Sequence, residues 1–164
     1  MSNGYEQLWE KMIKQFSLGK WSFHGPGHWR NVEANGLRLA RLNGADEEIV
    51  CLFALFHDAK RQSDGADPEH GHRAAALAES LHESDFTLEP ERFEKLLYAL
   101  RYHNDGLTSE DVTIGTCWDA DRMDLPRVGI IPEAKYMSTQ HGKQYAWRGE
   151  AALQSEEGLE QTDS

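Results

Sequence analysis

The sequence predicts one all-α domain, a bundle of helices, and three observations support this prediction. Apolar residues recur at spacings of three and four along most of the chain, the period of an amphipathic helix. No segment alternates strictly between apolar and polar residues, and none carries a hairpin signal. No linker or internal repeat divides the 164 residues, a length that suits one domain with its own core. We therefore expect residues 1–153 to form the domain, and the polar, acidic residues 154–164 to form a disordered tail.

The first part of the chain contains three predicted helices. Residues 5–16 carry an apolar stripe on one face and form the first helix. The segment 21–28 is rich in glycine and stays irregular until Pro26 begins the second helix, which runs to Asn43. The third helix runs from Glu47 to about Lys60. Because it is apolar on all sides before its last residues, it is predicted to be the buried central helix.

The second part of the chain contains further helices separated by polar turns. After a turn at residues 61–68, the predicted elements are helices at 69–81, about 87–103 and 112–123, an irregular stretch at 125–132, one or two turns at 133–137, and a last helix at 145–153. The helix at 69–81 is rich in alanine, which indicates close neighbours.

Composition limits the classes of partner and the compartment. The 28 acidic and 17 basic side chains give a formal charge of -11, which argues against a broad nucleic-acid-binding surface. A small anionic substrate is still compatible with this charge if bound cations neutralise the site. Cys51 and Cys117 stand beside apolar and aromatic residues and are predicted to be buried thiols in a reducing compartment. The sequence shows no leader or membrane-spanning segment, so we expect a cytoplasmic protein, and its oligomeric state stays open.

A histidine and an aspartate, His57 and Asp58, directly follow the apolar run of the central helix. A carboxylate at the end of a buried helix needs a cation or several hydrogen-bond donors, because an unpaired buried charge is costly. The pair could also end the helix in contact with water. These two residues alone are compatible with a metal site and with a solvated helix end.

Several other histidines and aspartates lie at or near predicted helix ends, and together with this pair they form a candidate metal-binding set. The set is His28, His57, Asp58, His70, His103 and Asp121. Helix ends that meet at one centre supply ligands from several directions. Imidazole and carboxylate ligands without thiolate suit Mn, Fe, Ni, Co, Zn or Mg, and six ligands exceed the four of a structural zinc. We therefore predict one or two divalent metal ions.

The order of these residues resembles that of the HD-domain metal-dependent phosphohydrolases over about residues 24–129. The resemblance is carried by His28, by the pair His57-Asp58, and by Asp121 within the stretch Asp-Ala-Asp-Arg-Met-Asp. The apolar run before the pair and the two basic residues after it strengthen the likeness. The resemblance implies a helical bundle of the HD-domain type that hydrolyses a small phosphomonoester or phosphodiester, with nucleotides among the candidates.

The resemblance also implies roles for individual residues. It places a first cation on His28, His57, Asp58 and Asp121, and a second cation, in members that bind two, on His70 and His103. Asp58 would bridge the two cations or orient the nucleophilic water. With a single cation, His70 and His103 would act instead as general acids and phosphate donors.

Two positions in this set have competitors nearby. His72 competes with His70, and Asp119 competes with Asp121, but the family's spacing and context favour His70 and Asp121. Residues two apart on a helix point to nearly opposite sides, so Asp119 would be a cap or an acceptor for a ligand histidine. Of the other histidines, His24, His82 and His141, all are expected to be ordinary polar residues, and His24 is the one that could touch substrate.

Lys60 and Arg61 are the candidate substrate-binding residues, because they follow the His-Asp pair directly. Either could reach a substrate phosphate, or both could form a solvated positive helix end. Arg122 and Arg127 are weaker candidates. The same ligand set would also suit a di-iron oxygenase or a non-catalytic, metal-stabilised binding module, which are the alternatives to a hydrolase. Specificity is expected to come from the loops at residues 23–27, 62–67 and 125–132.

Overall fold

The computed structural model describes residues 4–149 and Leu153, which fold into a bundle of helices. In this part of the chain all regular elements are helices, which confirms the predicted all-α class. In order they are α1 (Glu6–Gln15), α2 (Pro26–Asn43), α3 (Glu47–Phe56), α4 (His70–Leu81), α5 (Pro90–Tyr102), α6 (Val112–Arg122) and α7 (Gln140–Arg148), with two short 3-10 segments at Leu125–Val128 and Ala134–Tyr136.

Helix α3 forms the centre of the bundle. Every residue from Ile49 to Phe56 is buried, and α1, α2, α4, α5 and α6 pack around this helix. Each large apolar side chain in it contributes about 1.5–3 kcal/mol through burial. At its first turn Asp46 accepts a hydrogen bond from the amide of Ile49, and Arg92 of α5 donates to Asp46 at 2.7 and 2.9 Å. These contacts fix the start of α3, so its other end is held at a defined place in the interior.

The end of α3 differs from the prediction. The helix ends at Phe56 instead of about Lys60, and residues 57–60 form turns. The Nδ1 of His57 lies 2.9 Å from the carbonyl oxygen of Ala54, which is the oxygen that the next amide would need to continue the helix. The side chain of His57 therefore competes with the α-helical hydrogen bond, and the chain turns sharply at Asp58.

The elements after α6 also differ in part. Helix α7 (Gln140–Arg148) begins at Gln140 instead of Tyr145, because the side chain of Thr139 caps it by accepting from the amide of Gly142. Residues 150–152 of the predicted helix at 145–153 lie outside the described residues. The 3-10 segment Leu125–Val128 lies within the stretch that we expected to be irregular, and Ala134–Tyr136 confirms the short turn predicted at 133–137. The predicted tail at 154–164 lies outside the described residues.

Helices α4 and α5 approach each other closely at Gly71. A Cβ atom at this position would lie 2.6 Å from the carbonyl oxygen of Leu100 and 2.7 Å from that of Arg101. Only glycine permits this approach, because the obstacles are backbone atoms that cannot move aside alone. The first turn of α4, with His70, is thereby held against the last turn of α5, next to His103.

Two expectations from composition can be compared with the fold. Cys51 and Cys117 are both buried, as predicted, and burial raises the pKa of Cys51 to about 12. Among the described residues no helix is both long and apolar enough to cross a membrane.

Candidate metal centre

The carboxylate of Asp58 lies at the centre of the site and is 3% exposed. Its Oδ2 atom is 3.4 Å from the Nε2 of His28 and 3.5 Å from that of His57. Its Oδ1 atom is 3.2 Å from the Nε2 of His70 and 3.6 Å from that of His103. The two oxygens of one carboxylate thus face two different pairs of imidazoles.

Asp121, near the end of α6, joins the Oδ2 side of this arrangement. Its Oδ1 atom lies 2.9 Å from the Nε2 of His28 and 3.5 Å from that of His57. We call His28, His57, Asp58 and Asp121 the first cluster, and Asp58, His70 and His103 the second cluster. The structure therefore brings together all six residues of the predicted metal-binding set, and Asp58 belongs to both clusters.

The second ring nitrogen of each histidine has its own partner. The Nδ1 atoms of His57, His70 and His103 lie 2.9, 2.5 and 2.7 Å from the backbone carbonyl oxygen three residues earlier. Because a carbonyl oxygen can only accept, each Nδ1 carries the proton and donates it. In the neutral ring the lone pair is then on Nε2, which faces Asp58. For His28 the partner of Nδ1 is a carboxylate, the Oδ2 of Asp124 at 2.7 Å.

The Nε2 atoms of the two histidine pairs face each other at short range. They are 3.1 Å apart for His28 and His57, and 2.8 Å apart for His70 and His103. Two lone pairs at this separation repel each other unless a proton or a cation lies between them. Ligands about 2.0–2.1 Å from a metal ion lie about 2.8–3.4 Å from one another at octahedral or tetrahedral angles. The spacing and the donor types therefore fit a metal ion at either cluster.

The electrostatics of the protein groups alone show the same demand for positive charge. Burial tends to lower the pKa of His28, but its hydrogen bonds with Asp121 and Asp124 outweigh burial and raise this pKa to about 9. Burial tends to raise the pKa of Asp58 and of Asp121, yet the surrounding imidazoles, with His57 the strongest, hold both pKa values well below the usual range. The carboxylates are thus ionised and need cationic neighbours, which can be imidazolium groups or a bound metal ion.

The two competing residues lie elsewhere. His72 is exposed, and its ring packs against Tyr102 with the centroids 5.8 Å apart. Asp119 is fully buried and accepts hydrogen bonds from the amides of Ser138 and Thr139 at 2.7 and 2.8 Å. Asp119 therefore fixes the segment before α7, a capping role, and does not touch a ligand histidine.

Two further residues of the site were not part of the predicted metal-binding set. His24, expected to be an ordinary polar residue, places its Nδ1 3.4 Å from the Oδ2 of Asp58, and its Nε2 lies 3.3 Å from the carbonyl oxygen of Asp64. Asp124, which supports His28, was not singled out. The available signals were the position of His24 in the glycine-rich loop before α2, and that of Asp124 at the end of the Asp-Ala-Asp-Arg-Met-Asp stretch.

A cavity of about 600 Å³ gives access to both clusters. One part of its lining consists of cluster residues together with His24. A second part is basic and includes Arg61, Arg122 and Arg127. A third part is apolar and comes from the segment at residues 125–137.

The two candidate substrate-binding residues differ in position. Lys60 is exposed and is not part of the cavity lining, because the turn after Asp58 directs it outward. Arg61 is buried and lines the cavity, and its Nε lies 3.5 Å from the Oδ1 of Asp58. The prediction that Lys60 contacts substrate is therefore not supported by its position, whereas Arg61 is well placed.

The site thus combines buried carboxylates, imidazoles with fixed Nε2 lone pairs, and arginines around one cavity. Such a site can hold a metal ion and an anionic ligand side by side. Comparison of the chain with protein-family models, with curated proteins and with solved structures found no match.

Proposed function

We propose that this protein is a metal-dependent phosphohydrolase of the HD-domain type, acting on a small phosphomonoester or phosphodiester. The observation that carries the proposal is that two histidine Nε2 atoms lie close to each other on each side of Asp58, at 3.1 Å for His28 and His57 and at 2.8 Å for His70 and His103. Each contact is short enough to need a proton or a cation between the two nitrogens, and the two sites are joined by one carboxylate. Two divalent sites that share a carboxylate suit the displacement of an oxygen at phosphorus.

The first and second clusters would each hold one divalent cation, with Mn, Fe, Ni, Co, Mg and Zn as candidates. When bound, the cations would lower the pKa of a water, so that hydroxide is available near neutral pH, and would neutralise a phosphoryl oxygen. Asp58 keeps the two clusters in register because each of its oxygens belongs to one of them. The carbonyl oxygens behind His57, His70 and His103 keep these rings oriented, as outer partners of metal ligands commonly do.

The arginines on the cavity wall support an anionic substrate. Arg61 and Arg122 both line the cavity. The Nη2 of Arg122 has no hydrogen-bond partner among the described residues, and the Nε of Arg61 lies 3.5 Å from the Oδ1 of Asp58. Their other donors hold backbone carbonyls, for example the Nη1 of Arg61 with the oxygens of Ser63 and Gly65 at 3.0 Å. Fixed guanidinium groups attract phosphate and can bind it through two parallel hydrogen bonds.

The proposal is tested by metal analysis of protein purified without chelator, followed by measurement of the release of phosphate and of 4-nitrophenol. 4-Nitrophenyl phosphate and bis(4-nitrophenyl) phosphate with Mn²⁺ or Ni²⁺ are suitable first substrates. We expect turnover by the wild type and none by His70→Ala, whereas the matched variant His72→Ala should keep full activity because His72 is exposed and distant.

No hydrolysis by the metal-loaded protein of the two nitrophenyl esters, of other alkyl and aryl phosphate esters, or of a panel of nucleotides, cyclic dinucleotides and phosphosugars would contradict the proposal. Oxygen consumption by the iron-loaded protein, without phosphate release, would favour the oxygenase alternative. Full metal content with neither reaction would favour the binding module.

A further inference from the structure

We propose that the substrate carries an apolar organic group next to its phosphate, and that the segment at residues 125–137 binds this group. The inference rests on the proposed function, because the phosphate is taken to lie on the two clusters. The proposed substrates are alkyl or aryl phosphate esters, in contrast to sugar phosphates and nucleotides.

The first observation is the exposure of large apolar side chains in this segment. Val128, Ile130, Ile131 and Tyr136 are 37, 52, 81 and 43% exposed, and all four line the cavity. Single exposed apolar residues are common on protein surfaces, but a group of them beside a functional cavity indicates a binding surface. We call these four residues the apolar wall.

The second observation is the position of the apolar wall relative to the clusters. The same cavity is lined by His24, Asp58, Asp121 and the arginines on its polar side, so it has one ionic side and one apolar side. A hydroxyl-rich group on the phosphate would place polar atoms against aliphatic side chains, where they would lose their hydrogen bonds to water. An alkyl or aryl group would instead bury the apolar wall and remove it from water.

The third observation is that backbone contacts anchor the segment that carries the apolar wall. The Nη1 of Arg122 donates to the carbonyl oxygens of Leu107, at 2.6 Å, and Tyr136. The Nε of Arg127 donates to the carbonyl oxygen of Phe23 at 2.8 Å. The wall is therefore formed before a ligand binds, which lowers the entropic cost of binding. The cavity volume of about 600 Å³ lies in the usual range for small-molecule sites.

The inference can be tested with alkylphosphonates, whose carbon–phosphorus bond a phosphohydrolase does not cleave. Methyl-, butyl- and hexylphosphonate are titrated into the Mn²⁺-loaded protein by calorimetry. We expect the affinity to rise by up to about threefold to fourfold for each methylene that becomes buried. The dependence on chain length should become much weaker in Ile130→Ser and Ile131→Ser. It should persist in Ile13→Ser, a matched control that is 42% exposed on α1 and lies outside the cavity lining.

Equal affinity for the three phosphonates, or no binding of any, would overturn the inference. An undiminished chain-length dependence in the Ile130 and Ile131 variants would also overturn it, as would tighter binding of ribose 5-phosphate or AMP than of hexylphosphonate. The oligomeric state of the wild type and of the two variants is measured by light scattering. If the wild type were a dimer and the variants were monomers with unchanged phosphonate affinity, the apolar wall would be a contact between subunits and the inference would be wrong. Phosphate release is measured separately, so a chain-length effect without hydrolysis of any ester would contradict only the proposed function.

Discussion

The first and second clusters share Asp58 but differ in charge. The first cluster has a second carboxylate, Asp121, and a third one, Asp124, behind His28. The second cluster has only the shared carboxylate, and its two rings are supported by neutral carbonyl oxygens. Because anionic ligands attract a divalent cation more strongly than neutral imidazoles do, the first cluster should bind its cation more tightly. The number of histidines is the same in both clusters, so charge should set the order in which cations bind.

Asp58→Ala should have the largest effect, because it removes a ligand from both clusters at once. We expect loss of metal at both sites and loss of activity, beyond the roughly 10–100-fold effect of removing an outer partner. Elemental analysis and phosphate release measure the two losses. Asp85→Ala is a suitable control, since Asp85 forms a surface pair with Lys11. Full metal content in Asp58→Ala would refute the shared-ligand arrangement.

Gly71→Ala should affect the second cluster selectively. The added methyl group would collide with the carbonyl oxygens of Leu100 and Arg101 and push His70 away from His103. We expect metal content to fall from two ions to one per chain, with a loss of stability of about 1–3 kcal/mol from overpacking. Gly27→Ala is the matched control, because Gly27, like Gly71, is next to a cluster histidine in the first turn of a helix, and an added Cβ would meet open space. Two bound ions per chain in Gly71→Ala would show that the second cluster does not need the close approach of α4 and α5 in order to bind a cation.

Asp124→Asn should weaken the first cluster without removing a ligand. The amide keeps the size of the side chain but removes the charge that supports His28, so we expect cation affinity at the first site to fall about 10–100-fold. The cation affinity of each site would be measured by competition with a metal indicator dye. If the second site lost as much affinity as the first, the proposed difference in charge between the clusters would be wrong.

The pH dependence of stability should distinguish the protein with and without cations. The pKa of His28 is raised to about 9, above the ordinary value of about 6.5, so in the cation-free protein its stabilising contribution is present below pH 6.5 and is lost as the pH rises towards 9. Cation binding needs neutral imidazoles, so its contribution grows over the same range. At a hundredfold excess over Kd this contribution is about 2.7 kcal/mol, or a Tm shift of about 5–10 °C.

The measurement is Tm with Ni²⁺ and with chelator at several pH values between 6.5 and 9. We expect the difference between the two Tm values to widen with pH. A constant difference would show that the protonation of His28 is not linked to cation binding, and equal Tm values throughout would argue against a metal site in the folded interior.

The fold class and the meeting of the six residues could be predicted because the relevant signals are local. Helices α2 and α5 begin at prolines, and glycines or polar residues mark several helix ends, so the positions of His28 and His103 near helix ends were visible in the sequence. The end of α3 was predicted too late because the ring of His57 takes a backbone carbonyl, a competition that hydrophobic periodicity does not contain. The start of α7 was missed although Thr139 is a typical capping residue.

The parts of the site that could not be predicted depend on contacts between distant segments. The indole N–H of Trp29 donates a hydrogen bond to the carbonyl oxygen of His24 and so fixes the loop onto α2. This contact holds the ring of His24 near Asp58. Lys60 and Arg61 are adjacent basic residues, and the sequence does not show which of them faces the site. The tight turn after α3 leaves Lys60 exposed and Arg61 buried. The apolar side of the cavity comes from irregular chain, where no periodicity shows which side chains share a surface.

Helix α6 carries Asp121 of the first cluster and, two residues earlier, Asp119, which holds the amides of Ser138 and Thr139. The next residue after Asp121, Arg122, holds the carbonyl oxygen of Tyr136 in the apolar wall. A helix is stiff, so a small rotation of α6 that brought Asp121 closer to a cation would also displace the segment that borders the apolar side of the cavity. The proposed cation and organic ligand would then be thermodynamically linked through α6, and each would change the affinity of the other by the same factor.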